Sequence, residues 1–302
     1  MSAQLNVGEG QIDAVVESSC SSARAVETPH AAPGSVAMMS RSFEWICEIE
    51  PPTRPDLMHV RHQIGVLSKV ASAYLIPDNH VGRATVSSIA VAHEVDRMGG
   101  RSIACLNARD RNALGFQRDL LTGAAYGVDE FLFVYGDDPV SGSRTGQLTV
   151  RSMIEALRRF SGEQESDASR FRAGVTTRLR PLPAWKRDAD FLFVQVSFDL
   201  DALLAWRETV DFYGAVYAGV MVLPSASMAR KLVTDIPEIA VPSAWLGAIE
   251  QDRTAGTELA CELAHAIRDS NAFDGVHLIP GVRYREAATS IERLNRNSLT
   301  GY

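Results

Sequence analysis

At 302 residues with 46% hydrophobic content, the chain can bury a substantial core as one large α/β domain or two medium ones, which excludes disorder as its default state. A formal net charge of -7 leaves no basic face for a phosphate backbone, so nucleic acid is not an expected partner. No run approaches the roughly 20 apolar residues that span a bilayer, and the N-terminus lacks the basic and apolar regions of a signal peptide, so a cytoplasmic protein without a membrane partner is expected.

Residues 1–40 are rich in Ser, Ala, Gly and Glu and keep no period of 2 or 3.6, so they read as a loosely ordered extension ahead of a single domain over 41–302. Met38 and Met39, just before the first apolar run, mark an alternative start position that N-terminal sequencing of the native protein would test. From residue 43 onward, short apolar runs alternate with amphipathic stretches. Strands are expected at 43–49, 71–76, 102–106, 130–135, 172–176, 191–196, 218–223 and 275–279, and helices near 57–70, 84–98, 110–125, 147–160, 200–213, 226–235, 255–269 and 283–295. The strand runs show no polar alternation, as in a parallel sheet covered on both faces. Eight strands and eight helices in this length match a (β/α)8 TIM barrel. Only the segment after the fifth strand reads poorly as a helix, because Pro181 and Pro183 interrupt it. A doubly wound open sheet is the rival, but it predicts a G-x-G-x-x-G turn that the chain does not contain; Gly142 and Gly146 have the spacing of neither a dinucleotide turn nor a phosphate loop.

In such a barrel the carboxyl ends of all strands open onto one face, so polar residues at the ends of the apolar runs are the candidates for chemistry. Glu48 and Glu50 are two apart on the first strand, which places both side chains on one face about 7 Å apart. If that face is the lumen, burial and like charge would raise the pKa of one of them and make it a general acid; the alternative is that Pro51-Pro52 ends the strand and both are solvated. Asp137 follows the fourth strand and equally suits a strand-ending turn. Gln195 interrupts an apolar run, and a buried amide needs partners that a ligand edge or a neighbouring strand would supply. Asp78, Asn79 and Asn107 sit just past the second and third strands, where single polar residues are mostly turn formers. The seven histidines show no metal-ligand spacing and no metal is expected; the four cysteines, Cys20, Cys47, Cys105 and Cys261, form no C-x-x-C pair and are expected to be buried, inert thiols. No G-x-S-x-G elbow supports acyl chemistry.

Taken in order, these strand ends resemble the methylenetetrahydrofolate reductases across about residues 43 to 295. Glu48-Ile49-Glu50-Pro51-Pro52 is similar to the family's first-strand motif, and Gly136-Asp137-Asp138-Pro139 to its fourth-strand G-D-x-P. Gln195-Val196-Ser197-Phe198-Asp199 resembles the sixth-strand Q-x-x-F-D, and Leu223-Pro224 with Met228 resembles the seventh-strand loop. Asp78-Asn79 and Gly82-Arg83 look like second-strand loops in some members. The departures fall at the flavin site. The family's third strand brings a histidine and a threonine toward the flavin, where this chain has Ala104 to Asn107, and the basic loop after the fifth strand is replaced by a different pattern from Arg178 to Lys186.

This combination is similar to the flavin-independent reductases of mycobacteria and relatives. The resemblance implies reduction of 5,10-methylene- to 5-methyltetrahydrofolate with hydride from NADH or NADPH, a deazaflavin being another compatible donor, and FAD dependence or a non-reducing pterin-binding or methyl-transfer barrel as the alternatives. It implies that Glu48 is the acid, Gln195 binds the pterin edge and Asp137 lies near the ring. Glu50, Asp78, Asn79, Asn107, Asp199 and Met228 complete the implied folate site. The expected partner is a small-molecule folate, and a homo-oligomer is compatible with the sequence.

Overall fold

The computed structural model describes residues 42–163, 171–236 and 238–300, with the side chains of 297–300 left out. The extension read at residues 1–40, and with it Cys20, lies outside the described residues. Eight strands, β1 (Glu44–Glu48), β2 (Ala73–Ile76), β3 (Ser102–Asn107), β4 (Glu130–Val134), β5 (Arg172–Thr177), β6 (Phe191–Val194), β7 (Ala215–Met221) and β8 (Gly275–Ile279), pair in sequence order. All pairs are parallel, and β8 returns to β1 with His277 opposite Ile46, so the sheet closes into a barrel. The helices are α1 (Met58–Leu67), α2 (Ser88–Arg97), α3 (Ala113–Ala125), α4 (Val150–Glu163), α5 (Leu200–Glu208), α6 (Ala226–Asp235), α7 (Ser243–Gln251), α8 (Ala255–Asp269) and α9 (Tyr284–Thr300). The fold is therefore the (β/α)8 barrel that the alternating pattern predicts.

Each strand is buried on both faces, which explains its uninterrupted apolar run. Alternate residues point inward, where Ile46, Leu75, Ile103, Leu132, Phe193 and Tyr217 form a lumen cluster, while their neighbours such as Cys47, Ala104 and Phe133 pack against the helices. The amino-terminal end of the lumen is closed by charge. Arg101 pairs with Glu44 at 2.5 Å and with Glu130 at 2.9 Å, Arg172 reaches Glu130 at 3.1 Å, and the Tyr217 hydroxyl donates to Glu44. At the opposite, carboxyl end of the strands lies a cavity bordered by Leu132, Phe193 and His277.

Three local differences from the sequence reading have physical causes. β7 begins three residues earlier than expected because Gly214 lets the chain pass close to β6: a Cβ there would lie 2.3 Å from the Asp190 carbonyl oxygen. α5 correspondingly stops at Glu208 and not near 213. α7, absent from the sequence reading, is a short additional helix between α6 and α8 that begins just after Pro242. The proline-interrupted segment after β5 indeed forms no α-helix, only a short 3₁₀ turn over Ala184–Asp188. Cys47, Cys105 and Cys261 are buried and unpaired, and burial pushes the Cys47 thiol up to about 12 and that of Cys261 to about 11. Among the described residues, no helix is long and apolar enough to cross a membrane.

Candidate functional site

The inward register of β1, β6 and β8 determines what meets at the open end. Ile46 faces the lumen, so Glu48 two residues on does as well; Phe193 places Gln195 inward by the same rule. His277 on β8 closes the constellation. Its Nε2 lies 3.1 Å from Glu48 Oε2, and its ring stands edge-on to Phe193 with centroids 5.1 Å apart. Gln195, His277, Phe193 and Leu132 line a cavity of about 480 Å³ at the carboxyl end of the strands. Glu48 is not itself in the cavity lining but bonds His277, which is, and both side chains are largely withdrawn from solvent, at 16% and 10% exposure.

His277 is a candidate site residue that the sequence reading missed. Its signal was present, a polar side chain inside the apolar run Val276-His277-Leu278, which is the same signal that singled out Gln195. Its partner is 229 residues away, so the pairing itself was not legible.

The wall formed by β5 and the following turn carries cations. Arg178, Arg180 and Lys186 all line the cavity. Lys186 Nζ donates to the Thr176 carbonyl oxygen at 2.7 Å, and burial, with the Arg178 charge second, lowers its pKa from the ordinary lysine range. Arg178 and Arg180 both donate to Glu238, at 2.6 and 3.1 Å, across a second hollow of about 390 Å³ that also borders Gln195, Ser197 and Asp199.

On the other side of the mouth, the predicted residues of β2 to β4 are tied into one loop network through Asp110, Arg109 and Arg111. Asn107 is fully buried; its amide donates to Asp78 Oδ2 at 2.6 Å and to Asp110 Oδ2 at 3.0 Å, and its backbone N–H also reaches Asp78. Arg111 bonds Asp78 as well, and Asn79 donates to Asp110 at 2.9 Å. The Arg109 guanidinium, aided by Asn79 and Asn107, lowers the Asp110 carboxyl to about 2. Asp137 is exposed at the rim, where its carboxylate accepts from the Val81 N–H at 3.1 Å and its carbonyl accepts from Arg109. Val81 there has φ 55, an unfavourable conformation for a β-branched residue. These four side chains thus knit three loops together, and none of them lines the cavity next to Gln195.

Glu50 does not share the pocket of Glu48. β1 ends at Glu48, and Glu50, just past its end, is exposed and borders a separate hollow with Arg54, His59 and Val282. The expected carboxylate pair is replaced by a carboxylate and an imidazole. Asp199 caps α5, accepting from Ala202 N at 3.1 Å. Met228 lies in the first turn of α6, which Ser225 caps, and is 40% exposed. Among the described residues, no group of three or more His, Cys, Asp or Glu side chains is arranged to hold a metal ion.

No protein-family model matches the chain, and no curated protein matches it in sequence. Solved structures share its architecture. An uncharacterized protein from Clostridium thermocellum that binds two copies of 5-methyl-5,6,7,8-tetrahydrofolic acid superposes with a TM-score of 0.58 at 10% identity, covering 86% of this chain and 97% of that one. EDTA monooxygenase from Chelativorans sp. BNC1 superposes with a TM-score of 0.52 at 7% identity, covering 85% and 94%. At these identities the likeness is one of fold, and the chain has the closed (β/α)8 architecture of both.

Proposed function

We propose that this chain binds a reduced folate at the carboxyl end of its barrel and reduces 5,10-methylene- to 5-methyltetrahydrofolate with hydride taken directly from NADH or NADPH. The observation that carries the reading is that Gln195 and His277 line one cavity of about 480 Å³, with the Glu48 carboxylate 3.1 Å from His277. A fold neighbour that binds 5-methyltetrahydrofolate supports the ligand class.

In the substrate, one carbon bridges N5 and N10 and accepts hydride poorly while the ring is closed. Protonation of N10 opens the bridge to an N5 iminium, which is electrophilic. Glu48 supplies that proton, with His277 holding the carboxyl group in place and sharing the proton through Nε2. Gln195 pairs with the donor and acceptor edge of the pterin and so fixes the reacting carbon toward the hydride donor. Asp137, at the rim, contributes through the loop it holds. Flavin finds less support, because the β3 segment that would face it presents Cys105, a thiol without charge, and Asn107, whose amide is committed to Asp78 and Asp110.

Purified protein mixed with methylenetetrahydrofolate and either nucleotide is expected to oxidise the nucleotide and yield 5-methyltetrahydrofolate in equal amount; absence of product with both donors refutes the reading. Glu48→Gln should lower turnover by about 10²- to 10⁴-fold while folate binding persists. Near-normal turnover would remove Glu48 from the acid role. Folate binding without any reduction would favour a non-reducing pterin-binding barrel, the second reading that the fold neighbour allows.

A further inference from the structure

The open end of the barrel carries positive charge that the chain does not neutralise. Arg178, Arg180 and Lys186 line one wall of the cavity, in a protein whose net charge is -7. Glu238, between α6 and α7, is the carboxylate paired with Arg178 and Arg180. Those arginines are 58% and 66% exposed, so the bridge is a rim contact of the weakly held kind. Lys186 differs from them. It is half-buried, has no ion-pair partner among the described residues, and uses one of its three donors on the Thr176 carbonyl. Its Nζ lies 5.5 Å from the Trp185 ring. Burial and the neighbouring Arg178 disfavour its charged form.

We propose that Lys186, Arg178 and Arg180 form an anion subsite at the cavity mouth, where an acidic group of the ligand binds Lys186 and displaces Glu238 from the arginines. The ligand is then an organic molecule with a flat polar head for Gln195 and a carboxylate or phosphate beside it. The glutamyl carboxylates of a folate and the phosphates of a nicotinamide dinucleotide share this chemistry. Glu238 acts as a tethered competitor, so affinity rises with the number of negative charges on the ligand. The subsite deepens the folate reading and rests on it only for the source of the anion.

Inorganic pyrophosphate titrated into the full chain, with tryptophan emission from Trp185 as the readout, tests the subsite alone. Saturable binding is expected, weakened about ten-fold by Lys186→Met, retained by Lys186→Arg and tightened about three-fold by Glu238→Gln. No saturable binding to the wild type, or equal affinity in Lys186→Met, overturns the proposal. Glu238→Gln, at a partly exposed position, keeps the test decisive where Lys186→Met does not fold. The source is read by titrating tetrahydrofolate mono- and triglutamate and NADH against the same variants. A Kd raised more for the triglutamate assigns the folate tail, one raised for NADH assigns the dinucleotide phosphates, and one unchanged for all three overturns the subsite. Pyrophosphate binding without folate binding would sink the folate reading and leave the subsite standing.

Discussion

His265 ties the stability of the barrel to pH. It lies on α8, only 6% exposed, packed against Trp45 of β1 with ring centroids 5.1 Å apart, and its Nε2 has no hydrogen-bond partner. Burial, with Arg268 second, lowers its pKa from 6.5 to about 4. The folded chain therefore keeps the imidazole neutral in a range where the unfolded chain protonates it. Stability is fully present above 6.5, falls as the pH drops through that value, and stops falling near 4, where the folded imidazole takes up its proton as well. The whole gap corresponds to about 3–4 kcal/mol, of which about 2–3 kcal/mol falls between pH 7.5 and 4.5, a large fraction of the stability of an ordinary domain. Urea unfolding of the wild type and of His265→Phe at pH 7.5 and pH 4.5 isolates this contribution, because every other titrating group is common to both. The variant is expected to lose about 2–3 kcal/mol less than the wild type on acidification. An equal loss in both would show that the imidazole already takes up its proton in the folded state near 6.5, and the account of its burial would fail.

Two further expectations concern the lumen. Gly174 faces Phe191 inside the barrel, and an added Cβ would lie 1.8 Å from that ring, which is itself fully buried; Gly174→Ala should therefore cost about 1–3 kcal/mol by urea unfolding, and an unchanged midpoint would show that the inner cluster yields. Gln195→Leu should leave the melting temperature within a few degrees of the wild type while weakening folate binding about ten-fold or more by calorimetry, since the pterin edge loses its matched partner. Unchanged affinity would remove Gln195 from the site.

The barrel was legible in the sequence because burial on both faces leaves each strand as one continuous apolar run, from Glu44–Glu48 through Gly275–Ile279. Gln195 was legible for the converse reason, as a polar residue in such a run. What could not be read was contact across the lumen. Glu48 and Glu50 have strand spacing, yet β1 ends at Glu48 and leaves Glu50 outside it, and the partner of Glu48 is a histidine from the last strand. Asp78, Asn107 and Asp137 stand where ligand-binding residues of this architecture stand, but their spacing does not reveal that Arg109, Arg111 and Asp110 absorb them in a loop network. The start of β7 depended on a close approach at Gly214, a property of two chain segments and not of one.

That loop network has a mechanical consequence. Asp137 grips the Val81 N–H, Val140 N bonds the Gly82 carbonyl at 3.0 Å, and Gly82 sits so close to the next loop that a Cβ would lie 2.0 Å from the Asp138 oxygen. The rim over β2 to β4 therefore behaves as a single stiff bracket, while the rim over β5 to β7 is spanned by the solvated bridge from Glu238 to two arginines. Amide hydrogen exchange should be slower at Val81 and Gly82 than at Arg178 and Arg180, and the reverse order would contradict the picture. The two sides of the rim thus differ in how they are held: one by a network that joins neighbouring loops, the other by a single carboxylate shared between two exposed arginines.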